Sequence, residues 1–365
     1  MQNPGKLLAA LIFLIVVLAV ALHFLNRTTP NSSASVLPPT NSTAQQTFHF
    51  HAPPVPRPQP PELDLAGQPK IPREKVEEWL ALHHRDAASL LAAFRALEDT
   101  NYLNEAATNF PNNPQVELAV LAHDEFPQDR RKWLDLFKNS SPSNSLANYL
   151  SAQDYFKNGN PDAAVQELQA ASGKSQFDSF ETASRLDEED LYLSAGYSQL
   201  DSDKESSVGM FQEDNPELMT FKRLAQGVAG LEQQYAASGD ANSAANLAQM
   251  GMAFANQLET KDSGKYLINQ LVGWAIQSVI LQPLDQNTAY DFLGGETASQ
   301  VAQEAKQQRK SVWSPLVQNY EAIKPDLTDS EMLGYQERVK IYGQVPAMQW
   351  LIQQHPPPTS QNGQQ

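Results

Sequence analysis

The stretch Ser145–Ala171, SLANYLSAQDYFKNGNPDAAVQELQAA, decides how the chain is read. From Leu146 to Lys157, apolar side chains fall at Leu146, Tyr149, Leu150, Ala152, Tyr155 and Phe156, a stripe of helical period. Asn158-Gly159-Asn160-Pro161 then stops that helix. Gly accepts the left-handed conformation that closes a helix, and Pro suits the first turn of the next. The second helix sets Ala163, Ala164, Leu168 and Ala171 on one side, where small residues let two backbones approach closely. The spacing of Ala152, Tyr155, Gly159, Ala164, Leu168 and Ala171 therefore predicts two short antiparallel helices. One such hairpin cannot bury its apolar face alone, so it requires stacked neighbours.

A neighbour is present in the sequence. Tyr235, Gly239, Asp240, Ala244, Gln249 and Gly251 repeat the spacing of Tyr155, Gly159, Asn160, Ala164, Gln169 and Ala171 after about 80 residues, roughly two helical-hairpin units. The pattern Tyr-x-x-x-Gly-[Asn/Asp]-x-x-x-Ala resembles the tetratricopeptide-repeat signature, in which a small residue and a Tyr precede the turn and small residues follow it. The second copy departs from it, with Glu232 where the first copy has Ala152. The resemblance covers these two units; the segments between them match by helical period only. It implies an all-α fold, an α-solenoid of tetratricopeptide-like hairpins, whose concave face would take an extended peptide.

Composition supports a helical body. The 365 residues are 41% hydrophobic and rich in Ala and Gln, with few Val/Ile runs beyond the N-terminus. A formal charge of −16 argues against sequence-independent nucleic-acid binding, which needs clustered Lys and Arg. The acidity is spread along the chain and reads as solubility. With no cysteine there is no disulfide framework, thiolate metal site or Cys nucleophile.

Residues 7–25, LLAALIFLIVVLAVALHFL, have the length of a bilayer-spanning helix. Lys6 precedes the span, so a signal anchor would leave residues 1–6 cytoplasmic and export the rest. The alternative is a cleaved signal peptide, with Ala19-Val20-Ala21 as the small-x-small site. Residues 26–72 are proline-rich and read as a disordered, semi-extended spacer. A Pro-rich ligand is the competing reading, but Pro53 to Pro61 carries Arg57 as its single charge. His49-Phe50-His51 makes no closed metal sphere. The triplets at Asn26, Asn31 and Asn41 are glycosylation acceptors in a eukaryotic secretory pathway and carry no meaning elsewhere.

Folded character begins near Pro72. Helices are expected over 73–84, 86–97, 100–109, 115–124 and 130–138. Pro111, Pro127 and Pro142 recur about every 15 to 16 residues, one short helix plus its turn. Beyond the central hairpin the pattern predicts a loop over 173–180, a helix over 186–200 and a polar surface connection over 201–212. Helices follow over 216–236 and 242–258, then a markedly apolar one over 265–281, read as the most buried helix and not as a second membrane span. A repeat domain over 73–292 thus precedes a C-terminal helical set over 293–354, packed on Trp313 and Trp350, and a disordered tail over 355–365.

The chemistry is sparse. Asp201-Ser202-Asp203 resembles the Asp-x-Asp pattern with which nucleotide-sugar transferases hold a divalent metal, and anchor plus stem resembles the topology of Golgi glycosyltransferases. Their catalytic domains are mixed α/β, whereas strand segments are almost absent here, so an extracytoplasmic glycosyltransferase or hydrolase is the alternative reading. His83 and His84 diverge by about 100° on a helix and cannot share a metal face; a three-histidine site with His123, on another helix, is geometrically open but has no further support in the sequence. Glu188-Glu189-Asp190 is expected just inside a helix start, where negative charge complements the helix dipole. Tyr149, Tyr155 and Tyr235 are expected in repeat packing. No catalytic residue, metal or cofactor is assigned. The expectation is a single-pass protein of a bacterial inner membrane, with its body periplasmic, that binds a protein or peptide partner without catalysis.

Overall fold

The computed structural model describes residues 71–208, 216–260 and 262–355. The expected cytoplasmic end, membrane span and spacer up to residue 70, together with the tail from 356, lie outside the described residues.

The proline beat of the N-terminal part resolves into α1 (Arg73–Leu82), α2 (Ala87–Leu97), α3 (Thr100–Asn109), α4 (Pro114–His123) and α5 (Arg130–Ser140). Their starts are chemically specified. Asp86 accepts from the Ser89 amide, Asp99 from Asn101, and Asn113 from both Gln115 and Val116, which satisfies donors a helix start leaves open. Pro114 occupies the first turn, where its missing N–H costs nothing.

The central hairpin forms as its sequence predicts, with α6 (Leu146–Lys157) and α7 (Pro161–Ser172) joined through Gly159 at φ +71°. Between this hairpin and its repeat the chain leaves on an excursion. A loop leads to α8 (Glu181–Ser194), which is followed by α9 (Gln199–Val208). The single helix expected over 186–200 is thus two helices broken at Ala195-Gly196, where Gly196 takes φ +93°. The expected surface connection over 201–212 is helical as far as Val208, with Ser202, Asp203 and Ser206 buried. The second hairpin then forms from α10 (Pro216–Ala237) and α11 (Ala241–Thr260), turning at Gly239 with φ +82°.

Next come α12 (Leu267–Leu281) and a small antiparallel ribbon of β1 (Ala289–Tyr290) and β2 (Glu296–Thr297). The chain closes with α13 (Ala298–Gln308), α14 (Ser314–Ile323), α15 (Asp329–Tyr342) and α16 (Gln344–Gln354). A π-helical stretch, Arg309–Trp313, links α13 to α14. Apart from the ribbon, the described residues are all-α, and none of their helices is long and apolar enough to cross a membrane.

Packing brings the two hairpins side by side: α6 lies on α10 and α7 on α11. Four rings lock that junction. Tyr149 of α6, Phe177 of the loop, Phe221 of α10 and Phe254 of α11 sit with centroids 4.4 Å apart for Tyr149–Phe254, 5.4 Å for Phe221–Phe254 and 6.0 Å for Phe177–Phe221. Tilted and edge-to-face pairs of this kind add about 0.5–1.5 kcal/mol each beyond their burial. Helix α8 does not extend the hairpin pairing. It returns to pack on α1 and α2, while α9 reaches α15.

Helix α12 belongs to two hydrophobic clusters. Val272, Ile276 and Ile280 join the main core, which runs from Ile71 to Ala298. Leu267, Ile268 and Trp274 belong to a second core with Trp313, Tyr320, Tyr335 and Leu351. Trp313 meets Trp274 edge to face at 5.0 Å. Trp350 is half-buried and lies under the Arg338 guanidinium at 3.8 Å.

Candidate functional site

The repeat-signature residues divide into core, turn and surface. Ala152, Ala164, Leu168 and Ala171 are fully buried, Ala244 nearly so, and Gly251 lets Ile280 approach where a Cβ would stand 2.7 Å from its Cδ1. Gly159 and Gly239 supply the turns. Tyr155 lies beneath the Arg131 guanidinium at 3.9 Å, and Tyr235 opens onto a groove. Glu232, the departure from the signature, is fully buried with both carboxyl oxygens lacking a hydrogen-bond partner, and burial pushes it up to about 8.

Helix α6 lines no open face, because every residue from Leu146 to Asp154 is buried. Three of its polar side chains are used internally. Asn148 and Ser151 bond Glu167 of α7 at 2.6 and 2.8 Å, and Asp154 pairs with Arg131 of α5. The open surface lies instead between the second helices of the hairpins. Val165, Gln169 and Ser172 of α7 form one stripe at helical spacing, and Ser243, Asn246, Leu247, Met250 and Ala253 of α11 form the other. With Gln249 and Tyr235 they enclose a groove of about 520 Å³. No lining side chain is ionisable apart from the Tyr235 phenol; amides and hydroxyls alternate with Val, Leu and Met. The stripe from Ser243 to Ala253 spans about 15 Å of helix, room for about four residues of extended chain.

The acidic side chains singled out in sequence lie elsewhere, and their setting corrects two expectations. Glu188-Glu189-Asp190 stands in the second half of α8, not its first turn, because the helix begins at Glu181. Each carboxylate serves a different neighbour. Glu188 pairs with Arg95 of α2, Asp190 accepts from the Trp79 indole of α1 at 2.8 Å, and Glu189 meets Lys340 of α15 at 2.7 Å. Asp201 and Asp203 do not converge either. Residues two apart on a helix face nearly opposite sides; Asp201 bonds the Ser198 hydroxyl at 2.7 Å, whereas Asp203 is buried 3.0 Å from Lys340.

Lys340 thus sits among three carboxylates, Glu189, Asp203 and Glu337, the last at 3.1 Å. Burial alone would lower its ammonium, but hydrogen bonds to those carboxylates outweigh that and hold it raised. Burial raises the Asp203 carboxyl against the attraction of Lys340. The same three carboxylates are the one group among the described residues with metal-ligand spacing. The lysine between them already supplies the cation.

At the other end of α8, Arg185 is buried and donates to the Tyr266 hydroxyl at 3.1 Å, and Glu181 accepts from Asn269 at 3.2 Å. The histidines do not cluster: His83 lies 3.5 Å from Asp190, and His123 packs edge-on to Phe94. Burial lowers the His123 imidazole.

Sequence reasoning missed Arg185, Lys340 and the groove stripes. Neither Lys340 nor Arg185 carries a local signal, because Glu189, Asp203 and Tyr266, which they meet, are remote in sequence. The stripes carried a faint signal: Val165, Gln169 and Ser172 recur at helical spacing on a face the core leaves unused.

The fold defines a class: an all-α protein of packed helical hairpins with an uncharged interhelical groove. Beyond that class the chain matches no family model, no curated protein and no solved structure.

Proposed function

We propose that this chain is a membrane-anchored, exported helical-repeat protein of tetratricopeptide-like architecture. It holds a partner protein at an envelope surface by gripping an extended segment of that partner between α7 and α11. The apolar stretch 7–25 is the anchor, residues 26–72 the spacer and the helical body the binding module, without catalysis. The observation that carries the reading is the groove between the second helices of the two hairpins. An extended peptide presents unpaired backbone N–H and C=O groups, and Gln169, Asn246 and Gln249 offer amides that both donate and accept. Val165 and Met250 provide apolar seats for side chains, and the lack of charge suits a neutral segment.

The test places a photo-crosslinking residue at Gln249 and, as a control, at exposed Lys310. Adducts from position 249 alone, mapping to an extended segment of one partner and lost in Met250→Glu, support the proposal. Equal labelling at both positions, or labelling indifferent to Met250→Glu, overturns it. Fractionation with protease tests the anchor. Full-length membrane-bound protein, degraded only after outer-membrane permeabilisation, is expected. A soluble product shortened at the N-terminus would replace the anchor with cleavage after Ala19-Val20-Ala21.

A further inference from the structure

A second cleft, of about 580 Å³, lies away from the peptide groove, where segments distant in sequence meet. Its walls are the loop Ser175–Asp178, Glu259 and Thr260 at the end of α11, the turn at Gly264-Lys265, and Tyr342 at the end of α15. The volume falls within the range of about 300–1,000 Å³ typical of small-ligand sites.

The walls are held in place. The Gln176 carbonyl accepts from the Ser145 amide at 2.9 Å. Asn144 brackets Asp178, donating to its carbonyl at 2.8 Å and accepting from its amide at 3.1 Å. On the opposite side Gly343 takes φ +91°, and a Cβ there would stand 2.9 Å from the Lys265 Cα and carbonyl oxygen. Only glycine seats the end of α15 this closely on the turn, and that seating fixes Tyr342 at the rim. Tyr342 is 64% exposed in a protein that buries most of its large rings.

The polar groups facing the cleft alternate in character. The hydroxyls of Ser175 and Tyr342 have no partner among the described residues. Gln176 uses its side-chain oxygen on Ser143, which leaves its NH₂ to donate. Asp178 uses one carboxylate oxygen on the Phe180 amide at 2.7 Å, which leaves the other to accept. Glu259 contributes the end of α11 to the wall, while its carboxyl turns into the seam with α12, accepting from Gln277 at 2.7 Å and from the Trp274 indole. An anionic ligand would face Asp178, and a cationic one would face Lys265. What suits interleaved donors and acceptors beside an exposed ring is a neutral ligand whose hydroxyls each donate and accept and whose ring has an apolar face.

We propose that this cleft binds a saccharide, with Tyr342 as the stacking platform and Ser175, Gln176 and Asp178 as hydroxyl partners. In an envelope-facing protein the site would let the body hold a glycan while the groove holds a peptide. It stands independently of the peptide reading.

The test uses the full chain in a non-glycosidic detergent, titrated calorimetrically with cellotetraose, maltotetraose and chitotetraose. Saturable binding of at least one is expected. Tyr342→Ala and Asp178→Asn should each weaken it about tenfold, the scale of one lost stacking or hydrogen-bonding contact. Ile341→Ala, an equally exposed neighbour, and Met250→Glu in the groove should leave it unchanged. Tyr342→Trp should restore what Tyr342→Ala loses. Absence of heat from all three sugars at millimolar concentration overturns the proposal. So does binding that survives Tyr342→Ala, or displacement of the sugar by inorganic phosphate.

Discussion

The Lys340 ammonium on α15 stands 2.7 Å from Glu189 on α8 and 3.0 Å from Asp203 on α9, so one lysine ties the C-terminal helices to the middle of the chain. Glu189 and Asp203 are nearly or wholly dry. Lys340→Met should therefore strand two buried carboxylates and cost about 3–5 kcal/mol in denaturant unfolding. Protonation relieves stranded carboxylates, so the deficit should shrink between pH 8 and pH 5. A deficit constant across that range would mean lost packing, not lost charge pairing.

Glu232 gives a second pH test. Its folded carboxyl is pushed up to about 8, while in the unfolded chain it titrates near its ordinary value. The folded state thus holds the proton more tightly, and stability falls as pH rises from about 4.5 to about 8, by on the order of a few kcal/mol. Glu181 and Glu259, both raised to about 7, contribute in the same direction. Glu232→Gln should flatten its share of that slope, so the variant outlasts the parent at pH 8 and gains little at pH 4.5. Melting curves at both pH values read this directly.

The turns are tested through Gly159. An added Cβ there meets nothing within 4 Å, so substitution probes backbone conformation alone. Gly159→Ala should cost about 1–2 kcal/mol because φ is positive, and Gly159→Asn less, since Asn tolerates the left-handed region. Equal losses for the two would point away from the turn.

Gly273 is a contrasting case. A Cβ there would stand 2.5 Å from Glu259 Cγ and 3.0 Å from the Ala255 carbonyl, in the seam of α11 and α12. Gly273→Ala should cost about 1–3 kcal/mol through overpacking. It should also shift Glu259, which shows as changed emission from Trp274, whose indole bonds that carboxyl.

Much of the helical order was legible because it obeys local rules. Asp86, Asn113 and Asn160 cap helices within a few residues of themselves, and Gly159 and Gly239 announce their turns. The excursion of α8 and α9 was not, because periodicity assigns charged residues to solvent. Arg185, Glu189 and Asp203 break that assignment by pairing inside the protein, and Glu189 finds Lys340 151 residues away. Phe180, at φ +57°, starts α8 from a left-handed position that no glycine marks. The saccharide cleft was equally hidden, since Ser175, Glu259 and Tyr342 share no local pattern. The groove was half visible: Tyr235 was expected on a repeat face, but which face stays open depends on how fully α6 is enclosed.

The tie between α8 and α15 also sets a timetable. At about 5–20 residues per second of synthesis, the 151 residues between Glu189 and its lysine take roughly 8–30 seconds to follow. Throughout that interval Glu189 and Asp203 lack the cation that offsets their burial, so α8 and α9 have reason to stay hydrated until α15 arrives. The middle of the molecule is made early, but the charge that completes it comes near the end of the chain.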